Sequence, residues 1–383
     1  MPPKVLHYLD TENYAGTEAH VLTLLRSLDR DLYSPALLCR PSTVLHERAQ
    51  AAGIPCYPGG NLADMVRLLR QERFALIHAH DGNSKLHAVL AARLARTGTH
   101  VVATQHFVQP AYTQRGGWKG RVAGLVHQAV NGLVAAHIAV SRAVLEAALA
   151  RHEVREAQMT IITHGILPSD IPTKESIQAK RASLGIPASA AVVATVARLS
   201  PEKGVGYLLR GFAALPDRPH GLHLLVVGDG DLLGPLEAEA KGLGLQGQVH
   251  FLGFRADVMD WVASAEIFVL PSLAEAFGLA LVEAMILGKP TIAVGAAGGP
   301  REIVEDGVTG LLVPPADPHS LAQAIQRLLE HPEQARTMGQ AGQRRAAEHF
   351  SAAAMARRTE AVYQNCLSQN CLSPAADRVG ASK

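Results

Sequence analysis

The chain has few of the features that would place it in a special class. Its four cysteines, Cys39, Cys56, Cys366 and Cys371, lack the paired spacing of a zinc site, and two of them lie in a tail without apolar period. Neither a metal site nor a disulfide framework is suggested, and a reducing compartment fits. No uninterrupted apolar run reaches about 18 residues, so a membrane span is not expected. The N-terminus passes straight into a strand-like run from Val5 to Leu9, with no basic, apolar, small-residue leader, so a cytoplasmic protein is expected rather than a secreted one. Charge is nearly balanced, at 36 Lys and Arg against 34 Asp and Glu for a formal net of +2. No global field for nucleic acid follows, and any recognition of anions must be local.

What is present is an ordinary globular composition, 48% apolar and 18% charged over 383 residues. That length exceeds what one hydrophobic core usually supports and predicts two domains. Short β-rich runs alternate with segments of helical period, as expected of parallel strands joined by crossover helices. The first series lies near 4–9, 34–40, 74–80, 99–105, 135–140 and 159–163; the second starts at 190–199 and continues near 223–227, 249–253, 267–271, 291–295 and 311–313. Between them, 167–176 holds two prolines and no sustained period, and reads as the linker. The expected architecture is α/β, with two doubly wound, Rossmann-like domains facing each other across a cleft, because open parallel sheets bind ligands beyond the carboxyl ends of their strands. We place an N-terminal domain at 1–170, a C-terminal domain at 171–345, a returning helix at 346–366 packing on the first domain, and a disordered tail at 367–383.

The densest chemistry lies in 270–284, where a strand leads through Glu275, Phe277 and Gly278 into a helix carrying Glu283. The first amides of such a helix have no partner within it, and its dipole favours a negative group such as pyrophosphate. Glu283 stands about 7.5 Å along the axis from Gly278, at 1.5 Å per residue. It can serve the hydroxyls of a ribose, while Glu275 can reach a sugar on the far phosphate. Taken alone, both glutamates also fit a helix cap and a solvated surface residue.

These residues resemble the retaining nucleotide-sugar transferases of glycosyltransferase family 4 (glycosyl transferases group 1), which have the GT-B fold. The family's Glu-x7-Glu pair is matched by Glu275 and Glu283, followed by Gly288-Lys289-Pro290, and the segment from Val196 to Gly204 supplies Arg198 and Lys203. The resemblance implies donor-sugar contact for Glu275, ribose contact for Glu283, and diphosphate or sugar contact for the amides of Phe277, Gly278 and Leu279. Arg198 and Lys203 would neutralise the departing diphosphate, a task that metal ions perform elsewhere. No metal or other cofactor is therefore expected. Asp229-Gly230-Asp231 spells a metal signature, but with Gly228 it looks like the family's glycine turn, and Gly228 is placed at the donor. The segment from Val249 to Phe254 resembles the frame for the base, with UDP the usual choice, and Gly298-Gly299 resembles a turn that approaches the sugar.

In the first half, Ala15-Gly16-Thr17-Glu18 looks like the family's Gly-Gly-x-Glu turn, with Gly16 near the transferred sugar or phosphate. Thr104-Gln105-His106 resembles its Thr-x-His segment, making His106 the preferred acceptor-side residue, with His80 beside it. His78 and His80 alternate on one strand face but show no third metal ligand, so acceptor contact or packing is read there. His164 stands where the family carries asparagine, which weakens any role for it. Arg115, Lys119 and Arg121 surround Trp118 and could touch an anionic membrane or a lipid-linked acceptor, as could any solvated loop. The implied activity is retaining transfer from a nucleotide-sugar donor to a glycan, lipid-linked or small-molecule acceptor. A GT-B-like epimerase or phosphorylase, or a non-catalytic sugar-nucleotide-binding protein, is the alternative.

Overall fold

The computed structural model describes residues 1–12, 14–108, 117–167, 171–216, 221–295 and 298–368, without the side chains of 117–121. The basic segment from Arg115 to Arg121, Ala297 and the tail from 369 onward lie outside the described residues or side chains. The chain folds as two units, one of Met1–Gly165 together with the chain from Ala352, the other of Ile166–Ser351.

The first unit is built on a parallel sheet of β1 (Lys4–Tyr8), β2 (Ser34–Cys39), β3 (Cys56–Pro58), β4 (Leu76–Ala79), β5 (His100–Gln105), β6 (Ala136–Ala139) and β7 (Met159–Ile161), in the order β3-β2-β1-β4-β5-β6-β7. The second holds β8 (Val192–Val196), β9 (His223–Val227), β10 (Val249–Gly253), β11 (Ile267–Leu270), β12 (Thr291–Val294) and β13 (Gly310–Val313), in the order β10-β9-β8-β11-β12-β13. Strands buried on both faces need continuous apolar runs, and β11 and β12 are buried along their whole length. The short β3 was absent from the sequence reading. It spans three residues at the sheet edge and contains Pro58, which an edge strand tolerates because no neighbour needs its N–H.

Each strand order reverses once, between β1 and β4 in the first unit and between β8 and β11 in the second. Ligands of open parallel sheets bind at such reversals, beyond the carboxyl ends of the strands. The chain leaving β8 and β11 carries Arg198 to Lys203 and Glu275 to Gly278; the chain leaving β1 and β4 carries Gly16 and His80.

The returning helix expected at 346–366 runs over Ala352–Leu367, and a separate helix, Pro332–His349, precedes it, with the break at Phe350 and Ser351. Ile166 donates its N–H to the Phe350 carbonyl at 2.9 Å, so outgoing and returning segments pair where the break falls. Helix Ala352–Leu367 completes the first unit's core, placing Met355, Val362 and Tyr363 against Val5, Leu76 and Val102. Each large apolar side chain buried this way contributes about 1.5–3 kcal/mol.

Candidate functional site

In the second unit, β8 runs out at Val196 and the chain turns sharply. Ala197 and Leu199 donate their N–H groups to the carbonyls of Val227 and Asp229 at 3.0 and 2.9 Å, locking this turn to the one that follows β9. Gly228 makes the approach possible: at φ +132°, a Cβ there would lie 1.9 Å from the Ala197 carbonyl oxygen. Its requirement for glycine is thus met inside the fold, and Asp229 and Asp231 ride on the same turn with Asp229 accepting from the Gly230 N–H at 2.7 Å.

The turn continues through Pro201–Lys203 to Gly204, which at φ +66° starts helix Val205–Ala213 and passes so close to the chain after β11 that a Cβ would stand 2.2 Å from the Pro271 carbonyl oxygen. Leu273 donates its N–H to the Glu202 carbonyl at 2.8 Å, joining the two loops. Held in this way, Lys203 Nζ donates to Glu275 Oε1 at 2.7 Å, with only 20% and 14% of the side chains exposed. Arg198 is exposed and pairs at 2.9 Å with Glu202, which also accepts from the Ser200 hydroxyl.

Beyond Glu275, Gly278 caps helix Leu279–Ile286 at φ +102°, a conformation that L side chains rarely adopt. Phe277 is 2% exposed, with its ring against Phe350 at 5.7 Å, so its side chain belongs to the core and its backbone to the site. Glu283 is half-buried in the helix that Gly278 opens. The helix closes in a Schellman motif: Gly288, left-handed at φ +68°, donates to Met285 O at 2.9 Å and Lys289 to Ala284 O at 3.0 Å. Lys289 Nζ bonds to the Ala263 carbonyl, and burial lowers its pKa, so the Gly-Lys-Pro turn is structural. The glycines at 298 and 299 also have a role inside the chain. Their Cβ atoms would fall 2.2 Å from Glu275 O and 2.1 Å from Phe277 O, so they let this loop lie on the chain's own 275–277 backbone.

The first unit presents different chemistry. Glu18 accepts from the Ala15 N–H at 2.8 Å and from the Thr11 hydroxyl at 2.6 Å, closing the entry to helix Gly16–Ser27. Ala15 sits at φ −143°, which any residue adopts, and this explains why alanine is accepted where the resemblance led us to expect glycine. At Gly16 an added Cβ would meet no atom within 4 Å, so packing within the chain does not demand glycine there.

Behind this turn, six histidines are buried together: His7 from β1, His20 from helix Gly16–Ser27, His78 and His80 at the end of β4, His106 after β5, and His164 after β7. His7 and His78 are register partners on adjacent strands. Hydrogen bonds link Thr104 Oγ1 with His78 Nε2 (2.7 Å), His78 Nδ1 with Tyr363 Oη (2.6 Å), Tyr363 Oη with His7 Nε2 (3.3 Å), and His7 Nδ1 with His80 Nε2 (3.1 Å), in directions that the tautomers set. Burial drives the pKa values of His7 and His20 down to about 3 and those of His78, His80, His106 and His164 well below the ordinary imidazole value. All six are neutral at pH 7.

One expectation is corrected here, and a residue given little weight in the sequence lies in the same cluster. His78 and His80 do have further ligating neighbours, since nitrogens of His7, His78 and His80, and of His20, His80 and His106, lie within 4.8 Å of one another. His164, discounted in the sequence, packs its ring 4.4 Å from His20 and 5.5 Å from His106. Sequence reasoning missed His7, His20 and Tyr363. The strand order would have placed His7 beside His78, whereas Tyr363 arrives from the far end of the chain.

The fold is shared with a solved protein, Anabaena Alr3699/HepE in complex with UDP-glucose, at a TM-score of 0.83 and 26% identity over 95% of this chain and 99% of that one. This chain has the GT-B fold of glycosyltransferases. Residues 176–345 of the GT-B chain match the family described as Glycosyl transferases group 1, and residues 14–169 match Glycosyltransferase Family 4. Similar relatives include the uncharacterized glycosyltransferase MJ1607 of Methanocaldococcus jannaschii, 33% identical over 50% of this chain, and the MMP alpha-(1->4)-mannosyltransferase of Mycolicibacterium hassiacum, 36% identical over 46%. Those alignments span 50% and 44% of the relatives' own lengths. Among the described residues, no helix is long and apolar enough to cross a membrane.

Proposed function

We propose that this GT-B chain transfers a hexose or related sugar from a nucleotide-diphosphate donor, with UDP as the nucleotide, to a hydroxyl of a glycan, lipid-linked or small-molecule acceptor, with retention of configuration. The observation that carries the reading is the Lys203–Glu275 pair at 2.7 Å, held beside the Gly278-capped helix at the second unit's strand reversal. An ammonium group has three donors, so one bond to Glu275 leaves two for a phosphate. Arg198, on the same turn, adds a planar guanidinium suited to phosphate oxygens. The amides of Phe277, Gly278 and Leu279 take the diphosphate under the helix dipole, Glu275 takes the donor sugar, Glu283 takes the ribose, and Gly228 and Gly16 bring backbone to the donor. His106 and His80 are the acceptor-side residues.

In the reaction we envisage, the acceptor oxygen attacks the anomeric carbon on the face from which the diphosphate departs. The new glycosidic C–O bond forms, the bond from the anomeric carbon to phosphate oxygen breaks, and the acceptor proton passes to the leaving phosphate. Arg198 and Lys203 stabilise the charge that develops there, without a metal at the diphosphate. Location in the cytoplasm, with peripheral contact to anionic membrane through the segment from Arg115 to Arg121, belongs to the same proposal. Its support is that Val122, Leu125 and Val126, which follow that segment at helical spacing, are 49%, 67% and 45% exposed.

The test is to incubate the purified chain with UDP-sugars and a panel of acceptors, with products followed by mass and by anomeric NMR coupling. Acceptor-dependent release of UDP with an axial product from an axial donor supports the reading. An isomerised donor without acceptor, or dependence on inorganic phosphate, replaces it with epimerase or phosphorylase chemistry.

A further inference from the structure

We propose that His20, His80 and His106 bind a divalent transition-metal ion of the zinc class within the first unit, apart from the diphosphate chemistry. The three imidazoles come from a helix and from the ends of two adjacent strands, and one ligating nitrogen of each lies within 4.8 Å of the others. His80 Nδ1 and His106 Nε2 are 3.4 Å apart. That is long for an N–H···N bond. It matches the edge of a tetrahedron around an ion with Zn–N bonds of about 2.0–2.1 Å, which is about 3.3 Å.

The surrounding hydrogen bonds accommodate the same assignment. Let His80 Nε2–H donate to His7 Nδ1, His7 Nε2–H to Tyr363 Oη, Tyr363 O–H to His78 Nδ1, and His78 Nε2–H to Thr104 Oγ1. Every contact in the chain is then satisfied with neutral rings. The lone pair of His80 is left on Nδ1, toward His106. Ligating histidines are oriented in this way, through the nitrogen that does not touch the ion.

His20 supplies the independent observation. It is 4% exposed, and neither ring nitrogen has a hydrogen-bond partner among the described residues; His106 Nδ1 is likewise without one. A buried polar atom left unpaired costs stability, because it gives up water and gains nothing in return. An ion between His20, His80 and His106 gives His20 the partner that the protein does not. Three neutral imidazoles select zinc, cobalt, nickel or copper over magnesium or calcium, which prefer oxygen. The ligand count leaves a fourth corner for water or a ligand.

The experiment uses the full chain, stripped with a chelator and titrated with Zn(II) or Co(II) alone. We expect one equivalent of metal per chain, the intense visible bands of tetrahedral cobalt, and a raised melting temperature. His20→Leu should keep the native circular-dichroism spectrum and weaken Co(II) binding at least about tenfold, whereas His250→Ala, at the separate His223–His250 pair, should leave it unchanged. No stoichiometric binding to the wild type, or undiminished binding in His20→Leu, overturns the site. Should His20→Leu fail to fold, X-ray absorption of the metal-loaded wild type decides instead. Three imidazoles at about 2.0–2.1 Å support the site, and fewer overturn it.

Discussion

Lys203 and Glu275 are 72 positions apart, yet they form a mostly buried pair at 2.7 Å. On the proposed reading, Lys203→Ala should lower kcat by about 100-fold or more while changing donor binding less, because its phosphate contact strengthens as the leaving group gains charge. Steady-state kinetics and donor titration on the same sample separate the two effects, and an unchanged kcat would remove the role. Gly16 offers a complementary test. With no atom within 4 Å of an added Cβ, Gly16→Ala should melt within a degree or two of the wild type, since surface-like changes stay within about 0.5 kcal/mol. On the proposed reading turnover should nevertheless fall, because the methyl would occupy the space assigned there to the donor. Full activity in Gly16→Ala would show that nothing binds there.

The two turns after β8 and β11 act as one piece, joined by Leu273 N–H to Glu202 O and by the approach of Gly204 to Pro271. Gly204→Ala forces a Cβ to 2.2 Å from a carbonyl oxygen and strains a left-handed residue. A loss of about 2–4 kcal/mol in denaturant unfolding is expected, well above a typical surface change. Helix Ala352–Leu367 has a similar standing in the first unit. Ending the chain after Ser351 would remove Met355, Val362, Tyr363 and Cys366 from that core. At about 1.5–3 kcal/mol for each large side chain, the loss rivals a domain's whole stability. The truncated protein should show a collapsed first transition in calorimetry, and an unaltered melting profile would contradict the packing described.

For the molecule as a whole, burial of neutral imidazoles makes stability depend on pH. His7 titrates near 3 and His137 near 4 when folded, against 6.5 for the free side chain. Between these values the unfolded chain binds more protons than the folded one. Stability is therefore complete above about pH 6.5 and is lost as pH falls toward 4 and then 3, by up to ~1.4 kcal/mol per pH unit for each such histidine. Metal-free protein melted from pH 8 to pH 4 should show a plateau followed by a steep decline. A melting temperature that stays flat below pH 6 would mean that these rings are not buried in solution.

The two Rossmann-like sheets were legible because their strands are short apolar runs bounded by glycine or polar turns, a local signal that survives without partners. Glu275 and Glu283 stood out at a strand-to-helix turn, which gathers its chemistry within a few positions, and Arg198 and Lys203 through the family resemblance. Other features needed the fold. Gly228, Gly298 and Gly299 were read toward a ligand, and no spacing announces the backbone crossings that also require glycine there. His7, His20 and Tyr363 carried no motif, because their positions at 7, 20 and 363 acquire meaning only when β1 pairs with β4 and the last helix returns. Local periodicity and turn chemistry thus determined the elements and their order from the sequence by itself. Which side chains share a buried site was decided by strand adjacency and chain return, contacts between distant residues that only the folded chain creates.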